Sequence, residues 1–344
     1  MKAIGLTRYL PIEHPDSLMD LILPIPKASG QDLLVRVNAI AVNPVDTKLR
    51  MPKNKDTDKV EMTTKILGWD AAGEVVEVGS DCHLFKVGDK VFYAGDVTRS
   101  GCNAEYQLID ERIVGHMPQS LSFEQAAALP LTAITAWESL FDRLGISQDP
   151  IQNEGKSILI IGGAGGVGSI AIQLANQVAG LTVIATASRP ETINWVKQLG
   201  SKHSVNHHLN LVLQMRNINI PQLDYIFCCN DTDAYFPAMA ELIKPQGRIC
   251  SIVETVNPVN INLLKNKSAM FVWELMFTRA MYQTSDMIAQ HHILNHIAAL
   301  VDNGVLHTTL SQTLAPINAI QLRKAHAQLE AGKTIGKIVL SGWQ

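Results

Sequence analysis

Apolar and polar positions follow one order in the first third of the chain and another after it. Residues 33–42 (LLVRVNAIAV) alternate apolar and polar side chains, as a half-buried strand does. Residues 72–78 and 90–93 read the same way, with turns at Gly79 and Gly88-Asp89. Short alternating strands joined by tight turns predict a compact, mainly antiparallel β domain. The charge-rich stretch 53–59 (KNKDTDK) interrupts the pattern and reads as a solvated loop.

From about Leu129 the strand-like runs become apolar throughout and alternate with helical segments. Residues 157–162, 181–186, 224–229 and 248–253 are four such strands, and 203–206 supply a short fifth. Helical spacing fills 167–179, 190–199 and 234–243, the last closed by Lys244-Pro245-Gln246-Gly247. Strands apolar on both faces and separated by helices predict a doubly wound parallel sheet, an α/β architecture. A long amphipathic helix follows from Asp286 to about Val301, another spans 319–330, and 335–340 read as a closing strand.

Composition narrows the class. At about 150 residues per domain, 344 residues suit two domains. Lys and Arg number 29 against 32 Asp and Glu, a net charge of −3, which excludes a basic footprint for nucleic acid or an anionic membrane. Apolar residues reach 47%, so a large core is available and disorder is excluded. No charged residue occurs between Lys156 and Arg189, which superficially suits a membrane span. A spanning helix needs about 20 continuous apolar residues, and the glycine cluster after Ile161 breaks the run; each interior glycine costs roughly 1 kcal/mol in a helix. Strand, turn, helix and strand fit better. The opening MKAIGLTRYLPIEHPD lacks the apolar core of a signal peptide, so a cytoplasmic protein is expected. Cys82, Cys102, Cys228, Cys229 and Cys250 are scattered, with no Cys-x-x-Cys pair, and suggest neither a disulfide framework nor a zinc knuckle.

Gly163-Ala164-Gly165-Gly166-Val167-Gly168 matches G-x-G-x-x-G in its required context, a strand before it and a helix opening within it. Small residues let backbone approach a pyrophosphate at the helix N-terminus, and Gly168 lets that helix pack against the strand. A P-loop is excluded because no Lys-Ser/Thr follows. NAD sites place an acidic residue about 20 residues further on, for the ribose 2′-hydroxyl. This chain has Thr186-Ala187-Ser188-Arg189 there, so Ser188 and Arg189 offer a hydroxyl and a cation to a 2′-phosphate, and NADPH is the expected cofactor. The competing reading of Arg189 is a solvated residue at a helix start.

Several motifs together resemble one family. Gly68-Trp69-Asp70-Ala71-Ala72-Gly73-Glu74-Val75-Val76-Glu77-Val78-Gly79, followed by Val87-Gly88-Asp89-Lys90-Val91, is similar to the N-terminal signature of medium-chain dehydrogenase/reductases. Asn43-Pro44-Val45-Asp46-Thr47, the run 126–135, the glycine loop and the end 326–340 resemble it too, so the likeness runs the length of the chain. It is closest to the quinone oxidoreductase, zeta-crystallin-like branch, often labelled zinc-type alcohol dehydrogenase-like. The resemblance implies a GroES-like β-rich catalytic domain built from both chain ends, residues 1–128 and 283–344, with a Rossmann domain inserted at 129–282.

The resemblance also raises the question of zinc. Alcohol dehydrogenases of this superfamily carry a cysteine in the segment matching 41–46, a His-Glu after the glycine matching Gly68, and a third ligand near 130–135. Here those places hold Asn43, Trp69-Asp70 and no cysteine, so no catalytic metal is expected. His207-His208 and His291-His292 with His296 lack a cysteine or paired carboxylate to complete a ligand set. His207 matches a place near the adenosine end of NADPH, where it would stack or bond.

Without a metal, hydride transfer from NADPH to a quinone or α,β-unsaturated carbonyl is the reaction that fits. The resemblance places Asn43, Thr132 and Tyr93 near nicotinamide and substrate: Asn43 as a polar donor, Thr132 as a nicotinamide contact, Tyr93 against the acceptor. Lys48, where related reductases often carry tyrosine, reads equally as a donor or a solvated cation, and Trp69 as pocket wall or core. A redox-silent NADPH-binding sensor or structural protein and a zinc-type alcohol dehydrogenase stay open as alternatives; a lyase lacks a proton-transferring pair. By the same resemblance, the apolar run 268–275 (SAMFVWEL) pairs with its copy across a two-fold axis, so a homodimer is expected.

Overall fold

The chain divides into two compact units, Met1–Leu131 with Phe277–Gln344, and Thr132–Met276. The computed structural model describes residues 1–51 and 64–344, so the polar loop expected at 53–59 lies outside the described residues.

The first unit opens with β1 (Lys2–Leu6), β2 (Met19–Ile22), β3 (Asp32–Ala41), β4 (Lys65–Ile66), β5 (Ala71–Val78), β6 (Lys90–Tyr93), β7 (Tyr106–Asp110) and β8 (Val114–His116). Its helices there are α1 (Pro44–Arg50) and α2 (Phe123–Ala127), and α3 (Pro130–Trp137) carries the chain past Leu131. The alternation at 33–42 becomes β3, whose Val35, Val37 and Ala39 are buried while Arg36 is exposed. β3 pairs antiparallel with β5, from Leu33 opposite Val78 to Ile40 opposite Ala71. Gly73 permits the close crossing: a Cβ there would lie 2.2 Å from the Arg36 carbonyl oxygen.

The second unit holds β9 (Ser157–Ile161), β10 (Thr182–Thr186), β11 (His203–Val205), β12 (Leu223–Cys228), β13 (Ile243–Ser251) and β14 (Met270–Trp273). All pair in parallel in the order β11-β10-β9-β12-β13-β14, the doubly wound order expected of a dinucleotide fold. α4 (Gly166–Gln173), prolonged by a wider turn at Leu174–Val178, α5 (Pro190–Gln198), α6 (Leu211–Asn217) and α7 (Thr232–Leu242) link the strands. Every residue of β9 is buried, which explains the charge-poor stretch without a membrane. No helix among the described residues is long and apolar enough to cross one.

One boundary differs from the sequence reading. Lys244 to Gly247 do not form a separate turn after a helix. α7 ends at Leu242, Ile243 already pairs with Leu223, and residues 244–247 bulge out before Arg248 pairs with Tyr225. Gln246 takes a positive φ of 64° there, an irregularity apolar periodicity does not encode.

The chain then returns to the first unit through α8 (Thr278–Met281), α9 (Ala289–Asp302), β15 (Leu310–Leu314), α10 (Ala319–Glu330) and β16 (Lys337–Ser341). β16 pairs antiparallel with the end of β3, Val339 opposite Ala41, in a sheet ordered β15-β16-β3-β5-β6-β8 with β7 also on β3. That pairing sets residue 337 beside residues 42–43.

Candidate functional site

In the second unit the glycine loop lies where strand order reverses, between β9 and α4, the place at which open parallel sheets bind ligands. Gly162, at φ 85°, turns the chain, and its N–H donates to Thr186 Oγ1 at 2.9 Å. Gly168 is required by packing: a Cβ would sit 2.3 Å from the Gly162 carbonyl oxygen and 2.8 Å from Gly163 Cα. Gly163 is equally confined, its Cβ reaching Ala185 Cβ at 2.8 Å. Gly165 differs. A Cβ there meets only the Gly162 oxygen, at 3.5 Å, so the chain's own packing gives no reason for glycine. Ala164, Gly166 and Val167 complete the half-buried rim. The residues therefore fit a dinucleotide, with open space at Gly165 for a pyrophosphate and helix N–H groups behind it.

Ser188 and Arg189 follow β10, and His207 follows the neighbouring β11. Arg189 stands at the N-cap of α5, its N–H donating to Thr192 Oγ1 at 3.1 Å, while its guanidinium pairs with Glu191 at 3.2 Å and remains partly exposed. His207 is pulled below its ordinary pKa by partial burial, then by His208 and Arg189, so cation and imidazole share this end of the sheet. Thr132 lies in the first turn of α3 and is buried.

The first unit contains a buried polar network that sequence reasoning missed. Lys337, 3% exposed, donates from Nζ to the Val42 carbonyl (2.9 Å), to Asn43 Oδ1 and to Asp70 Oδ2 (2.8 Å). Asp70 is fully buried; its Oδ2 also accepts from Asn43 Nδ2 (2.9 Å) and its Oδ1 from the Leu131 N–H (2.7 Å). The Leu131 N–H belongs to the first turn of α3, where no helical carbonyl is available to accept it. Burial pushes the Asp70 carboxyl up, and the ammonium and amide donors pull against it.

Asn43 Nδ2 also donates to the Trp69 carbonyl at 3.3 Å. Its amide is thus directed into the protein, and the substrate-facing donor expected of Asn43 is not what the geometry presents. Asp46 accepts the Asn43 N–H on Oδ2 at 2.7 Å, while its buried Oδ1 has no partner. Burial pushes its carboxyl up to about 7, against the pull of that N–H and of Lys337.

Tyr93, at the end of β6, is 1% exposed, with a buried hydroxyl that has no hydrogen-bond partner. Burial, then Cys102 nearby, pushes its pKa well up, so the phenol stays protonated. Cys102 donates its thiol to the Asp70 carbonyl at 3.3 Å and is held protonated by burial. Trp69 packs edge-on against Phe277, ring centroids 6.3 Å apart, as core. Lys48 lies on the exposed side of α1. His291 is used structurally, with Val114 O at 2.7 Å from Nδ1 and Asn295 Nδ2 at 2.9 Å from Nε2. Among the described residues no group of three or more His, Cys, Asp or Glu is placed to hold a metal ion.

The profile of the alcohol dehydrogenase GroES-like domain matches residues 29–125, and that of zinc-binding dehydrogenases matches residues 199–340. The chain is 43% identical over 341 residues to a zinc-type alcohol dehydrogenase-like protein of Staphylococcus epidermidis, covering 99% of both. The chain belongs to the medium-chain dehydrogenase/reductase superfamily. A solved quinone oxidoreductase of Coxiella burnetii is 29% identical with a TM-score of 0.80, covering 99% of both chains. A solved structure from Rhizobium etli, named for zinc-dependent alcohol dehydrogenases, is 48% identical with a TM-score of 0.93, covering 100% of this chain and 98% of that one. An NADPH-dependent alkenal/one oxidoreductase of Arabidopsis thaliana chloroplasts is 34% identical over 241 residues, 68% of this chain and 58% of that one.

The superfamily's name for such chains implies zinc, and the network tests it. The segments where its alcohol dehydrogenases carry ligands do converge here, at Asn43, Asp70 and Leu131, but they close on an ammonium. A catalytic zinc takes thiolate, imidazole or carboxylate ligands. Here the carboxylate that meets Lys337, on Asp70, is already paired, and a divalent ion beside it would face the Lys337 charge. These residues do not fit zinc.

Proposed function

We propose that this oxidoreductase transfers hydride from NADPH to an α,β-unsaturated carbonyl or a quinone, without a catalytic zinc. The observation that carries the reading is a glycine loop shaped for a dinucleotide and followed by Arg189, and the other unit supports it with a buried corner whose cation is lysine rather than a metal. The glycine loop and α4 N–H groups would hold the pyrophosphate, Ser188, Arg189 and His207 the phosphorylated ribose, and Thr132 the nicotinamide. Bound NADPH supplies the hydride.

The chain's own tasks are then orientation and charge stabilisation. An enone or quinone accepts hydride at carbon while negative charge develops on oxygen, so a protonated donor is needed there. Tyr93 has that capacity unspent, because its hydroxyl is protonated and makes no bond within the protein. The alkenal/one reductase likeness supports the same substrate class.

Absorbance at the reduced-nicotinamide band, followed across a panel of enones, quinones, aldehydes and alcohols, tests the reading. Oxidation of NADPH by enones or quinones is expected. Binding of NADPH with no turnover by any acceptor would replace it with a redox-silent role, and zinc-dependent alcohol oxidation would overturn it.

The assembly proposal is a homodimer joined along β14. That strand is a sheet edge and exposes Met270, Trp273 and, just beyond it, Leu275. A monomeric mass at micromolar concentration would refute it.

A further inference from the structure

We propose that Lys337 is a positioning residue: its ammonium is the resident cation of the Asn43–Asp70 corner, and it sets the groups that flank the reacting centre. The catalytic consequence rests on the reductase reading above; the geometry does not. An ammonium has three protons, and Lys337 Nζ meets three acceptors, from residues 42, 43 and 70. It does so from a strand whose neighbours Ile338, Val339 and Leu340 are all buried and apolar. An isolated ammonium is costly to bury there, so it persists only with its counter-charge.

Two consequences follow from charge. The first is the orientation of the Asn43 amide. With Oδ1 on the ammonium, Nδ2 faces Asp70 Oδ2. The flipped amide would set its NH2 against Lys337 and its oxygen against a carboxylate, so one arrangement wins decisively. The second is the start of α3. Asp70 accepts the Leu131 N–H with the oxygen that Lys337 does not touch. Thr132 is the next residue, so the neutralised carboxylate anchors the turn that carries it. Lys337 acts through both Asn43 and Asp70 and is assigned no contact with substrate.

The test uses the purified full chain with Lys337→Ala and Lys337→Met. In Lys337→Ala the missing part of the side chain is the size of propylammonium, so thermal midpoints are measured with and without propylamine, and with 1-propanol as the uncharged control. The alanine variant is expected to melt below wild type, to regain much of the loss with propylamine, and to gain nothing from propanol; wild type should not respond. NADPH affinity, read by fluorescence titration, should fall far less than kcat in both variants, because the pyrophosphate and ribose contacts belong to the other unit and only the turn before Thr132 is loosened. With an acceptor that wild type reduces, kcat should fall by roughly tenfold or more while KM holds, as displaced reacting groups cost. Propylamine should restore it.

Lys337→Met preserves volume without charge and keeps the test decisive if the alanine variant does not fold. A methionine variant with wild-type midpoint and kcat overturns the proposal, as does rescue of the alanine variant by propanol equal to that by propylamine. If wild type reduces no acceptor, the reductase reading fails, and the midpoints still decide the role of Lys337.

Discussion

Asp46→Asn should remove a pH dependence that the wild-type fold contains. Asp46 is 1% exposed, with one carboxylate oxygen on the Asn43 N–H and the other unpartnered. The ammonium that pulls it down, on Lys337, is already engaged by Asp70. Burial therefore wins, and the carboxyl rises from 3.8 to about 7. The fold favours the protonated form, so this contribution to stability is fully present below the unfolded-state value and is lost as pH rises through 7. Roughly three pH units at about 1.4 kcal/mol each make about 4 kcal/mol across the whole window. That is a large part of a typical 5–15 kcal/mol stability.

Urea unfolding of wild type and Asp46→Asn, at pH values from about 5 to about 8, isolates the term, because other titrating groups cancel in the difference. The asparagine oxygen still accepts the Asn43 N–H, so the local geometry is kept. Wild type should lose about 3 kcal/mol relative to the variant between those limits and nothing further above them. A difference independent of pH would show that Asp46 stays ionised in the fold and would refute the reasoning.

Much of the second unit was legible because β9 is buried throughout, β10 beyond its first residue and β12 from Ile226 on, and that burial writes apolar runs into the sequence. The spacing from Gly163 to Arg189 was legible for a related reason. A βαβ unit has a fixed grammar, and the end of its second strand always faces the ribose. The corner in the first unit was not legible, and Lys337 shows why. Its strand was visible at 335–340, but a lysine within a short run looks solvent-facing until its partner strand is known. The pairing of Val339 with Ala41 is what delivers it to Asn43, 294 positions away. One signal was present: a single charge in an otherwise apolar closing strand is unusual unless it is paired. Asn43 illustrates the converse. Its position in the motif was readable, but the direction of its amide depends on Asp70 and Lys337 together, and no local pattern carries that.

The remaining predictions concern the cofactor and the acceptor. Arg189→Ala should raise KM for NADPH by roughly tenfold or more, the worth of a charge-assisted bond to phosphate, and leave NADH nearly unchanged; equal effects on both would remove Arg189 from the 2′-phosphate. Tyr93→Phe should fold as well as wild type, since the lost hydroxyl has no partner to strand. Its kcat with an enone should drop by roughly 10²-fold, as for loss of one oxyanion donor, and unchanged turnover would exclude it. The glycine loop gives the sharpest contrast, because two of its glycines are empty for different reasons. In Gly168→Ala the new Cβ meets backbone at 2.3 and 2.8 Å, so α4 must move off β9, costing about 1–3 kcal/mol of stability as well as NADPH binding. In Gly165→Ala the Cβ meets only one oxygen at ordinary contact distance, so the unfolding midpoint should hold while NADPH binding falls. Loss of binding without loss of stability would mean that the space above Gly165 is kept for a ligand. If Gly165→Ala binds NADPH like wild type, the pyrophosphate does not pass there, and the cradle reading fails even though the fold stands.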